Sequence, residues 1–257
     1  MIIMNNVRQN YRIVVLSLFV FASSFQKKEP QNQQLCSVKL VFNNTVHGSK
    51  IVLNDSTYSN AFGEKYVVTK LRYYVTNILL QQADNNFKEK DSYHLIDESK
   101  AESQRIHFSM PAGDYRALQF LLGVDSLHNV SGAQTDDLDP AKDMFWTWNT
   151  GYVMAKLEGY SPSSSLVNNK IEYHIGGFSG PYNVLKEVTL DFPGTTFHFV
   201  AGKAYEIVIN ADVNTWWQHP NDIKISEHAI ITSPGPLARA ISDNYSNMFH
   251  LEKISSN

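Results

Sequence analysis

Nine histidines and four tryptophans are the residues of this 257-residue chain best suited to holding a metal or passing electrons. The densest stretch is Met144-Phe145-Trp146-Thr147-Trp148-Asn149-Thr150-Gly151-Tyr152. Some twenty residues on comes Tyr173-His174-Ile175-Gly176-Gly177. Indoles near an imidazole fit either a bulky core or a metal and redox site. In a strand, Trp146 and Trp148 are two residues apart and project to one face. They could then form a core wall, a stacking platform for a sugar, or an oxidisable pair. Trp216-Trp217 beside His219-Pro220 would face opposite ways if extended.

None of the histidines forms a His-x-His or His-x-x-His pair, so ligands to one metal would have to converge from separate strands. His174 is the foremost candidate, since it lies among aromatic and β-branched residues and precedes two glycines that admit close approach. His47 and His94 are weaker metal candidates. Other chemistries lack their motifs. There is no G-x-G-x-x-G, P-loop, H-E-x-x-H or G-x-S-x-G. The acids Asp136, Asp137, Asp139 and Asp143 tempt a calcium reading. Lys142 and Trp148, however, stand where an EF-hand loop needs Gly and Glu. No pair of carboxylates is singled out for hydrolysis. A binding protein is therefore expected rather than an enzyme.

The formal net charge of -3 carries no basic footprint for nucleic acid. Arg8 and Arg12 precede the apolar run Ile13 to Ala22, and Ala22-Ser23-Ser24 supplies small residues. That order is a secretory signal peptide over 1–24, with a run too short to span a bilayer. The chain is expected to be exported, to the periplasm or cell surface, with no transmembrane segment after signal removal. Its single cysteine, Cys36, rules out an internal disulfide and suits a small buried hydrophobe.

The elements that would position these residues are mostly strands. Residues 25–35 form a polar linker, and one domain over 36–257 follows. Short strands are expected at Val38–Phe42 and Lys50–Leu53, and a long, bent one over Tyr66–Leu80. Arg105–Met110, Tyr115–Val124, Phe145–Leu157, Ile171–Ile175, Val188–Phe192, Thr196–Val200 and Tyr205–Ala211 continue the series. Leu237, Ala240, Ile241, Tyr245 and Met248 recur at helical spacing within Pro236–Met248. Asp212 caps a short helix to Trp217. The expected fold is mainly β, a single β-sandwich or jelly-roll-like domain with a short C-terminal helix.

Several segments together resemble a known family. Tyr73-Tyr74-Val75-Thr76-Asn77-Ile78 looks like its YYxSNI strand. Gly123-Val124-Asp125-Ser126 through Asn129-Val130-Ser131-Gly132-Ala133-Gln134 looks like its GVDSxxNxSGAQ loop. Leu138-Asp139-Pro140 with Met144 to Tyr152 resembles its central signature. Tyr173 to Gly177 resembles its HxG strand, and Ile241-Ser242-Asp243-Asn244-Tyr245 with Met248-Phe249 resembles its closing helix. This is the MbnP-like copper-binding family, in a Bacteroidetes-type member. The resemblance implies an exported β-rich protein. It also implies copper held by histidines, here His174 and His128, and an oxidised tryptophan, Trp146 or Trp148, made by a MauG-type di-haem partner. Copper-binding members carry a further histidine where this chain has Thr76, so one ligand position is changed. The alternative reading is a binding module without metal, using Trp146, Trp148, Trp216 and tyrosines to take a carbohydrate or a partner protein.

Overall fold

A computed structural model describes residues 34–132, 134–146 and 151–256. The expected signal peptide, nearly all of the linker, and Trp148 lie outside the described residues. Ten strands and two helices carry the fold. They are β1 (Leu35–Val46), β2 (Lys65–Gln81), β3 (Tyr93–Asp97), β4 (Arg105–Pro111), β5 (Ala117–Leu122), α1 (Ser126–Val130), β6 (Gly151–Tyr160), β7 (Lys170–Gly176), β8 (Lys186–Asp191), β9 (Ala204–Asp212), α2 (Pro236–Tyr245) and β10 (Phe249–Ser256).

Two sheets face each other. In the first, β10, β9, β1 and β4 lie side by side, with β1 and β9 parallel and the other pairs antiparallel. In the second, the order is β8-β5-β2-β6-β7. The 17-residue β2 is its spine. Its first half pairs with β6 and its second half with β5. The pairing with β5 shifts between Thr76 and Leu79, where Asn77 has φ 54°. That irregularity bends the strand and lets one element serve both ends of a curled sheet.

Strand alternation explains the layers. In β1, Cys36, Val38, Leu40 and Phe42 are buried while the residues between them face outward or are half-buried. Phe42 and Phe249 from the first sheet meet Tyr73 and Phe120 from the second edge-to-face, with centroids 5.1–6.4 Å apart. Such buried aromatic contacts exclude water and fix the spacing of the sheets. Truncating Phe42 would cost about 3–5 kcal/mol. Cys36 is a buried thiol donating to the Met110 carbonyl, as its small apolar character requires.

The β-sandwich class and the helix near the C-terminus agree with expectation. Tyr66–Leu80 is one bent strand, and Asp212 caps a 3-10 turn over Val213–Trp217 by accepting from Asn214. Several details differ. Of Lys50–Leu53 only Lys50 lies in a strand, Ser49–Lys50, and Tyr115–Val124 is broken at Arg116 into Gly113–Tyr115 and Ala117–Leu122. Val38–Phe42 is the middle of a longer strand, because its alternation runs on through Asn44. Phe145–Leu157 is divided into a short strand, Phe145–Trp146, and β6. Strands β3 and β10 were not foreseen: β10 carries His250, Glu252, Lys253 and two serines, so its apolar alternation is weak.

Candidate functional site

On the second sheet the inward face is apolar and the outward face charged. Ile171, Tyr173 and Ile175 of β7 point into the core, so Glu172, His174 and Gly176 point outward. Register then sets who meets whom. Lys156 of β6 lies between Arg72 of β2 and His174. Glu158 lies between Lys70 and Glu172.

This grid is charge-balanced by close pairs. His174 Nε2 is 2.8 Å from Glu158 and 3.5 Å from Glu172. Lys70 reaches Glu158 at 3.2 Å, and Lys170 reaches Glu172 at 2.6 Å. The His174 hydrogen bond, helped by Lys70 and opposed by burial, holds the Glu158 carboxyl down at about 2. Glu158 is therefore ionised at any ordinary pH. One ligand atom from each of Glu158, Glu172 and His174 falls within 4.8 Å of the others. Among the described residues, no other group of three or more His, Cys, Asp or Glu does so. One imidazole and two carboxylates suit a divalent ion of borderline hardness, whose bonds are ~2.0–2.2 Å.

A strap of two 3-10 turns, Asp136–Leu138 and Pro140–Lys142, covers the neighbouring part of this face. Three of the four acids that tempt a calcium reading are committed here. Asp139 caps the second turn, Asp137 pairs with Lys142 and accepts from Leu95 N–H, and Asp143 pairs with Lys156 at 2.9 Å and Lys70 at 3.2 Å. Lys156 is buried, and desolvation pulls its ammonium pKa down while Asp143 pulls it back. The strap runs directly into Phe145 and Trp146. Trp146 packs its indole on Gly176, where a Cβ would come 2.5 Å from Cζ3. The close approach foreseen at this glycine is therefore made by an indole. His174 and Gly176 are i and i+2 on one face, so the glycine that the indole covers lies one strand repeat, ~7 Å, from His174. Trp146, with Phe145, Tyr152, Phe178 and Pro234, also lines a cleft of about 610 Å³.

His128 stands elsewhere. It lies in α1, capped by Asp125, and its ring is 2.7 Å from the Tyr93 hydroxyl and 3.1 Å from Asp125. Burial would raise the Asp125 carboxyl. Hydrogen bonds from Tyr93, from the His128 ring and backbone, and from Asn77 overcome that and hold it at about 2. His94 is tied to Glu89 at 2.9 Å, and His47 Nε2 lies 3.1 Å from the Ser59 carbonyl. The structure thus brings none of His128, His94 or His47 into the group containing His174. Thr76 is fully buried and donates to the Gly123 carbonyl, so its hydroxyl is spent on the backbone.

Burial removes Trp216 from the tryptophan platform and leaves little of Trp146, while Trp148 lies outside the described residues. Trp216 and Trp217 are fully buried in the core, against Tyr245 and against Tyr66 and Tyr173, and Trp146 is only 7% exposed. The 3-10 turn rotates both neighbours inward, which an extended reading could not show. These three indoles offer no open face to a sugar. Sequence reading missed Glu172, and Glu158 stood out no more than any other acid. The period-two alternation Ile171, Tyr173, Ile175 already places Glu172 and His174 on one face.

Residues 36–234 match the family model described as MbnP. Among solved structures the chain is similar to MbnP from Methylosinus trichosporium, at 13% identity, with 87% of this chain and 99% of that one covered and a TM-score of 0.51. Likeness at that identity speaks for the fold alone. No curated protein matches the chain.

Proposed function

The chain belongs to the MbnP family, and from that premise we propose that it is an exported copper-binding protein, a handler of the metal rather than an enzyme. The observation that carries the reading is the Glu158–Glu172–His174 group on the outward face of β6 and β7. Imidazole with carboxylates suits Cu(II), which accepts nitrogen and oxygen donors, better than Cu(I), which favours softer ligands. Copper bound here would supply a one-electron couple.

The remaining roles belong to the chain. His174 must present a deprotonated ring nitrogen, so the proton now shared with Glu158 has to leave. Glu158, already ionised, needs no proton removed. Lys70 and Lys170 hold the two carboxylates in the metal-free chain and must give them up. Affinity is set by that exchange. Lys156, pinned by Asp143, stays beside His174 and keeps the strap in place.

Trp146 is the described candidate for oxidation by a MauG-type di-haem partner, since its indole, though largely buried, borders a cleft and packs on Gly176 of the His174 strand. Peptide mapping of chain purified from its own cells tests this; an unmodified Trp146 in all copper-loaded chains contradicts it. Export is tested by sequencing the mature N-terminus, expected after residue 24. Isothermal titration with Cu(II) tests the central reading. One copper per chain is expected, lost in His174→Ala and weakened in Glu158→Gln. Affinity no tighter than that of scattered surface histidines overturns it.

A further inference from the structure

A phenol loses an electron at accessible cost only when its proton has somewhere to go, since the oxidised phenol is a strong acid. The described tyrosines differ sharply in this respect. The hydroxyls of Tyr74, Tyr115, Tyr152 and Tyr173 donate to backbone carbonyls, and that of Tyr73 to the Asn44 amide oxygen. Neither acceptor can take a proton at a useful pH. The buried Tyr245 hydroxyl has no hydrogen-bond partner among the described residues, and that of Tyr66 faces the Trp217 indole N–H, a donor that can take no proton. Tyr93 alone among the described tyrosines has its hydroxyl on a carboxylate and an imidazole together.

The geometry around Tyr93 is closely built. Its hydroxyl donates to Asp125 Oδ2. His128 Nδ1 is 2.7 Å from the same hydroxyl oxygen and 3.1 and 3.2 Å from the two Asp125 oxygens. One N–H on Nδ1 serves both neighbours, which leaves the hydroxyl proton aimed at the carboxylate. The phenol and imidazole rings are 4.1 Å apart between centroids. The Asp125 carboxylate is held in place by His128 N–H at 3.1 Å and Asn77 at 3.3 Å. Tyr93 is half-buried, so an outside oxidant can approach it while bulk water does not replace its partners.

We infer that Tyr93 is a proton-coupled redox tyrosine, with Asp125 as its proton acceptor and His128 as the donor that supports the resulting radical. The electron leaves to an external one-electron oxidant, a high-potential metal complex, which is reduced by one equivalent. The Tyr93 O–H bond breaks and an O–H bond forms on Asp125. The phenoxyl oxygen keeps the hydrogen bond from His128 Nδ1–H. Return of one electron moves the proton back from Asp125 and restores the phenol. Tyr93 is the residue that reacts; Asp125 and His128 are positioning and proton-handling residues. The inference does not use copper: none of the three belongs to the His174 group, and the test is made on the copper-free chain.

The test is flash-quench oxidation of the intact, copper-free chain by photogenerated tris(bipyridine)ruthenium(III), read as tyrosyl radical by electron paramagnetic resonance. The exposed Tyr160 and Tyr182 are first replaced by Phe to remove solvent-facing signals. One neutral tyrosyl radical is expected, and Tyr93→Phe, which keeps the ring and its packing, abolishes it. Asp125→Asn keeps Tyr93 and removes only its proton acceptor, so the radical yield falls while circular dichroism is unchanged. A radical that survives Tyr93→Phe overturns the assignment. A yield unaltered in a folded Asp125→Asn chain overturns the proton-coupled step.

Discussion

His174 and His128 are the same side chain in two different settings, and the contrast is one of scaffold. His174 stands on the outer strand β7, where the register with β6 and β2 delivers two carboxylates and three cations to one face. Glu172 comes from its own strand and Glu158 from β6, so their spacing is set by the sheet and suits an ion that needs several fixed ligands at once. His128 stands on a five-residue helix, and its acid partner is the residue that caps that helix. Its other partner, Tyr93, is a phenol from the β3 edge. That setting suits a proton passed between neighbours. A strand face collects charges; a capped turn pairs them.

The largest expected break in this comparison is in copper affinity. His174→Ala should weaken Cu(II) binding on the order of 100-fold or more, while His128→Ala leaves it within about twofold, as titration calorimetry would show. Equal losses would merge the two sites. Next comes the strap over the His174 side. Asp143→Ala leaves the buried Lys156 without its carboxylate and should cost about 2–3 kcal/mol in urea unfolding, the exposure of Asp143 moderating a fully buried value. Lys156→Met, which removes the charge but keeps the volume, should cost less than about 1 kcal/mol.

Gly176→Ala sharpens the link between Trp146 and the His174 strand. Its Cβ would collide with the indole, so we expect about 1–3 kcal/mol of destabilisation and a shifted tryptophan fluorescence. On the His128 side the effect is smaller and depends on acid. The folded Asp125 carboxyl, near 2, lies below its unfolded value near 3.9. Its contribution is therefore complete above about pH 4 and is lost as pH falls towards 2. Allowing for solvent screening, Asp125→Asn should remove about 1 kcal/mol of stability at pH 7 and flatten the decline between pH 4 and 2. Smallest is Lys70→Met. By releasing Glu158 from a competing cation it should tighten Cu(II) binding a few-fold, under about 1 kcal/mol, measured by the same titration.

What could be read from sequence follows from how local each signal is. The bent strand over Tyr66–Leu80 and the amphipathic α2 are written in their own periodicities, so both are legible. His174 stood out from its strand and its following glycines. Glu158 and Glu172 did not, because their meeting depends on the register between β6 and β7, a non-local choice. The Asp212-capped turn to Trp217 is local and legible, whereas the burial of both Trp216 and Trp217 is not, because it depends on the core residues packed around the turn. His128 was picked out as a ligand by resemblance. Its tie to Asp125 was within reach of sequence, as the i, i+3 partner in a capped turn. Its tie to Tyr93 was not, since that needs β3 to lie beside α1.

The most direct measurement is electron paramagnetic resonance of the chain loaded with one equivalent of isotopically pure Cu(II). The account predicts a tetragonal spectrum with coupling to a single imidazole nitrogen and oxygen donors otherwise, and its loss in His174→Ala. Coupling to two or more imidazoles that persists in His174→Ala would contradict it, and would place the copper somewhere other than the outward face of β7.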